Sequence, residues 1–157
     1  MIQEEKDLLL RDLCPRLPYG VKGRCEIDAS YDTSFDTVYQ LHKFDAELIG
    51  IKDNIIFVIP LIEDEDENTY TTEEVIDGID ILDFTPYLRP MSSMTEEEDE
   101  KFEEFLELQA EYTTDADIRF KYDMFDWLNA NHFDYRGLIP MDLALPAPEG
   151  MYNFNKQ

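Results

Sequence analysis

The sequence predicts an α+β fold: a small bent antiparallel sheet or partly closed barrel of about five strands, with an N-terminal helix and a C-terminal helical hairpin. Three observations carry the prediction. Residues 21–82 hold short apolar runs, alternating or β-branched, separated by polar turns. Residues 83–95 contain Pro86 and Pro90, which fix their own φ and push Thr85 and Arg89 toward extended geometry. Residues 96–131 then change to helical periodicity. The 157 residues read as a single domain: helix and sheet over 1–82, a stiff connector over 83–95, the helical hairpin over 96–131 and an extended tail over 132–157.

The elements follow in order. Ile2, Leu9, Leu10 and Leu13 share one face of a helix over 3–13, which Pro15 stops. Val21, Gly23, Cys25 and Ile27 alternate with Lys22, Arg24 and Glu26, the pattern of a half-buried strand. A second strand is expected over 37–42. Residues 44–51 and 55–62 form a hairpin across a three-residue loop, with Asn54 offered for a left-handed position. The run 55–59 is apolar on both faces, which predicts a central or doubly covered strand, and Pro60 marks its far end as edge-like. A fifth strand over 75–82 carries Gly78 as a candidate bulge.

Thr95 and Glu98 have capping-box spacing, and the acids at 96–100 suit the positive end of a helix. This helix runs to about residue 112 with Phe102, Phe105, Leu106, Gln109 and Tyr112 inward. Its other face carries Glu97, Glu100, Glu104, Glu107 and Glu111. Like-charge pairs at these spacings destabilise a helix by a few tenths of a kcal/mol each, so these acids, together with the acidic loop 63–67, form a candidate interaction face. A second helix over 116–130 places Ile118, Tyr122, Phe125 and Leu128 inward and Trp127 at the margin, with Asn131 as its left-handed stop.

Composition excludes several classes of function. Net charge is −24, and residues 53–117 hold 22 acids against two bases, Arg89 and Lys101, a local net of −20. That argues against direct nucleic-acid binding and against an anionic membrane surface, and favours a basic protein partner. No apolar run reaches the roughly 20 residues that span a bilayer. The acidic N-terminus lacks an apolar signal core, so a cytoplasmic protein is expected. Cys14 and Cys25 are too few for a disulfide framework and read as buried thiols. Asp64, Asp66 and Asn68 have the spacing of a calcium loop, but Thr69 stands where glycine is needed and Val75 where glutamate is needed.

No nucleophile elbow, phosphate-binding glycine loop or zinc motif is present, so no cofactor, metal or catalytic residue is assigned. One cluster mixes the residue types of acid–base chemistry: His132, Asp134, Tyr135 and Arg136, with Tyr87 and Arg89 as contributors. As a site, His132 is a general base oriented by a carboxylate, or one of a set of metal ligands. As structure, His132 complements a helix C-terminus and Arg136 pairs with a carboxylate.

Three runs, 6–21, 86–98 and 126–141, resemble a family of small uncharacterised proteins of gut Bacteroidales and their phages and mobile elements. The resemblance implies no activity. It does make one form of partner binding worth stating, an acidic mimic of nucleic acid that occupies a DNA- or RNA-binding protein. The leading expectation is a non-enzymatic interaction module for a basic partner. The alternatives are a small-ligand binder or enzyme around His132–Arg136, and a structural role in a homo-oligomer.

Overall fold

The structure, a computed structural model, describes residues 2–27, 31–32, 37–38, 43–61, 75–111 and 119–152. It is α+β, with three helices and a six-stranded mixed sheet. Helix α1 spans Ile2–Leu13, α2 Glu96–Glu111 and α3 Arg119–Ala130. The strands are β1 Lys22–Glu26, β2 Tyr31–Asp32, β3 Thr37–Val38, β4 Lys43–Lys52, β5 Ile55–Pro60, β6 Ile76–Asp80, β7 Phe84–Leu88 and β8 Leu145–Pro146. The main sheet has the order β6-β5-β4-β1-β7-β8, and β2 pairs only with β3. The strand expected over 37–42 is described only at Thr37–Val38, and the acidic loop 63–67, the calcium-like spacing of Asp64, Asp66 and Asn68, and the expected inward residues Tyr112 and Ile118 lie outside the described residues.

Two expectations are corrected. The sheet is open and mixed, because β6 and β8 end it and β7 pairs with β8 in parallel. The stretch read as a connector supplies strand β7, paired with β1 from Gly23↔Pro86 to Cys25↔Phe84. A proline lacks only the donor on one side of a strand, so Pro86 signals a restricted position in a sheet and does not exclude one. The sheet is strongly curved even though no barrel closes. Only Ile81–Asp83 separates β6 from β7, a reach of about 14 Å for extended chain. Four strand spacings separate the same strands in the sheet order, about 19 Å if flat. The long strand β4 carries Ile49 as the extra residue of a bulge between Leu48 and Gly50, an irregularity of the kind that bends a strand.

The alternation in β1 is realised: Val21, Gly23, Cys25 and Ile27 are buried under α1 with Leu9, Leu13, Leu48 and Val58. Each such apolar side chain contributes about 1.5–3 kcal/mol when buried. The hairpin β4–β5 closes at Lys52↔Ile55, so its loop has two residues, and the left-handed one is Asp53 (φ 57°). Gly78 (φ 78°) sits in the register shift of β6 against β5. Pairing with β6 stops at Val58, which leaves Pro60 beside β4 alone.

A second core lies between the C-terminal helices, where Met124, Leu128 and Phe133 pack with Phe102, Phe105 and Trp127. The inward face of α3 is therefore rotated from the expected one. Tyr122 is 66 % exposed and Phe125 42 % exposed, and Trp127 is the aromatic ring that meets Phe105, at 5.9 Å between centroids. On α2, Leu106 is 44 % exposed, and at the start of α1 Ile2 is exposed as well.

Candidate functional site

The residues singled out in the sequence separate into three places. The first is the acidic face of α2. Glu97, Glu100, Glu104 and Glu107 are all exposed. Their spacing of three, four and three residues puts them on one stripe about 15 Å long. Among the described residues the single ion pair on this stripe is Glu104 with Lys101, at 3.9 Å. Thr95 caps the helix by accepting the Glu98 amide at 3.2 Å. The Glu98 carboxylate does not complete the capping box. It receives both hydrogen bonds of Arg89 Nη2, at 3.0 and 2.7 Å, and so ties the helix start to the end of β7. An open groove of about 1110 Å³ meets the start of the stripe, lined by Glu96, Glu97, Arg89, Pro148, Glu149 and Tyr152 among others.

The second place is the buried surroundings of His132. Helix α3 ends in a Schellman motif: His132 N–H donates to Asn129 O at 3.1 Å and Phe133 N–H to Leu128 O at 3.0 Å. The left-handed residue is His132 (φ 58°), not Asn131. This turn drives the imidazole inward, where it stacks on Tyr152 at 3.8 Å. The Tyr152 hydroxyl accepts the Lys22 amide at 2.9 Å and donates to Tyr87 O at 2.8 Å, pinning the tail across β1 and β7. Burial pushes the His132 pKa down to about 3, and the charges of Arg16, Lys22 and Arg89 act in the same direction, against a hydrogen bond with the Tyr19 backbone. A base that weak stays neutral near pH 7 and is poorly matched to proton transfer there.

The third place surrounds a buried ion pair, Asp12–Arg16. Arg16 binds Asp12 through Nε at 2.9 Å and Nη2 at 3.0 Å, and Nη2 also donates to Phe133 O at 2.7 Å. Tyr135 and Arg136 belong here: the Tyr135 hydroxyl donates to Asn129 Oδ1 at 2.9 Å, and Arg136 Nε lies 3.5 Å from Asp12 Oδ1. The pair escaped notice in the sequence, although its spacing of four residues on a helical pattern was the available signal.

The six residues grouped around His132 do not share one cavity. Arg89 lines the groove beside α2, and Tyr135 and Arg136 line a separate pocket against α3. Asp134 is spent on the amides of Leu138 and Ile139, at 2.7 and 3.0 Å. The Tyr87 hydroxyl donates to Asp45 Oδ1 at 2.7 Å. Burial raises its pKa, and the contact with Asp45 adds to the shift. Both cysteines are free thiols; Cys25 is buried and Cys14, against expectation, is exposed. Among the described residues no helix is long and apolar enough to cross a membrane, and no three His, Cys, Asp or Glu side chains gather as metal ligands. No family model, curated protein or solved structure matches the chain.

Proposed function

We propose that this chain is a non-enzymatic interaction module that binds a basic surface of a partner protein through α2. The observation that carries the reading is the stripe Glu97, Glu100, Glu104 and Glu107, exposed on a helix whose opposite side is held by the second core. Carboxylates that repel one another along a helix gain when cations are brought to them, and their field speeds the approach of a basic partner. Leu108, exposed beside the stripe, supplies apolar surface of the kind found at the centre of interfaces. The groove with Glu96, Glu97 and Glu149 extends the same negative surface past the helix start. The sharper form of the proposal is mimicry of nucleic acid.

The test compares the full chain with the quadruple variant Glu97→Gln, Glu100→Gln, Glu104→Gln, Glu107→Gln as baits in nuclease-treated lysate. A basic protein retained at low salt, released as salt rises and lost with the variant is the expected result. If that protein binds nucleic acid and duplex DNA displaces it, mimicry follows. Equal retention by both baits refutes the acidic-face reading.

A further inference from the structure

The pocket against α3 has a chemistry unlike the rest of this acidic protein. It is an open cleft of about 470 Å³, a volume within the range of small-molecule sites. Pro15, Tyr122, Phe125, Asn129, Tyr135 and Arg136 line it. The Phe125 and Tyr135 rings meet at 5.4 Å between centroids, tilted by 51°. Tyr122 lies one turn before Phe125 on α3, and its ring is largely open to water. Three aromatic rings therefore border one small space, and two of them lie on the side of α3 that faces away from the core.

Two guanidinium groups lie behind the rings. Asp12, fully buried, is paired with two guanidinium groups: Arg16 at 2.9 and 3.0 Å and Arg136 at 3.5 Å. Both guanidinium carbons lie 5.3 Å from the centre of the Tyr135 ring. Arg16 is fully buried, and its Nη1 has no hydrogen-bond partner among the described residues. Arg136 is 35 % exposed, and its two polar contacts, to Asp12 and to Arg11 O, are both 3.5 Å long. The nearby Asp134 carboxylate is occupied by two backbone amides. The arrangement leaves guanidinium donors unused beside an aromatic slot.

We propose that this pocket binds a small aromatic monocarboxylate, its ring packed against the Tyr122, Phe125 and Tyr135 side chains and its carboxylate on Arg136. Aromatic rings favour offset or edge-to-face partners, and a guanidinium matches a carboxylate with two parallel hydrogen bonds. Asp126, which also lines the pocket, opposes negative charge on the ligand and penalises a dianion about twice as much as a monoanion. The site stands apart from the α2 surface and does not depend on that reading.

Titration calorimetry on the full chain tests the proposal with three probes: phenylacetate, its neutral amide phenylacetamide, and the dianion phenyl phosphate. Phenylacetate is expected to bind saturably, with the amide weaker by about tenfold or more. Arg136→Gln is expected to abolish the preference for the anion, and Tyr122→Ala to weaken phenylacetate severalfold. Because the Tyr122 ring is exposed, its loss leaves the fold intact even where Arg136→Gln disturbs the Asp12 cluster. No saturation at millimolar phenylacetate, equal binding of the amide, or indifference to Tyr122→Ala overturns the site. Phenyl phosphate binding as tightly as phenylacetate overturns the assignment to a monoanion.

Discussion

Lowering the pH from 7 to 5 is expected to remove about 2 kcal/mol of stability through His132 alone. The side chain is buried against Tyr152, and its pKa falls from the ordinary 6.5 to about 3. The unfolded chain therefore takes up a proton as the pH drops below about 6.5, whereas the folded chain refuses it until about pH 3. A depressed histidine pKa means stability fully present above the unfolded value and lost as the pH falls through that window. At pH 5 the protonated unfolded form is favoured by about 1.5 pH units, which at about 1.4 kcal/mol per unit gives the stated loss. Other titrating groups add to acid sensitivity, so the contribution of His132 is isolated by difference. His132→Asn removes the imidazole and keeps a residue that tolerates φ near 58°. Urea unfolding of both proteins at pH 7, 6 and 5 should show a pH dependence smaller by about 2 kcal/mol in the variant. Parallel curves would show that His132 titrates normally in the folded protein and refute the buried neutral imidazole.

Two further predictions concern the frame around these sites. Asp12→Asn leaves the fully buried Arg16 without its carboxylate and should cost about 3–5 kcal/mol in urea unfolding, because a buried charge loses its partner; a cost under about 1 kcal/mol would mean the pair is solvated. Gly23→Ala places a methyl group 2.4 Å from Phe84 Cζ, so the ring must move, and a loss of about 1–3 kcal/mol is expected. Phe84→Leu in the same chain should recover part of that loss, and a double variant no better than the sum of the two would count against this contact.

Much of the local structure was legible in the chain itself. The strand with Val21, Gly23, Cys25 and Ile27 was read from alternation because one face of the sheet is buried and a period of two records that directly. The start of α2 was read from Thr95 because capping is a local bond, between an oxygen and an amide three residues on. The four exposed glutamates were read the same way, since a helix turns residue spacing into a stripe. What failed needed partners distant in sequence. Strand β7 was hidden because its one proline, Pro86, obeys local rules while its pairing depends on β1, some 60 residues earlier. The inward face of α3 was misplaced because Tyr122, Phe125 and Trp127 are all apolar enough to be buried, and only docking on α2 chose Trp127. Glu98 was assigned to its own helix cap, but Arg89 offers two charge-assisted bonds that only the fold brings near.

The candidate sites divide along the same line. An acidic face on one helix is a property of sequence, because it needs only periodicity and charge. The pocket beside α3, the Asp12 carboxylate shared by two arginines and the burial of His132 under Tyr152 join segments more than a hundred residues apart or bring a tail back across the sheet. Tertiary structure alone decided them, because burial and long-range pairing set both their geometry and their charge state.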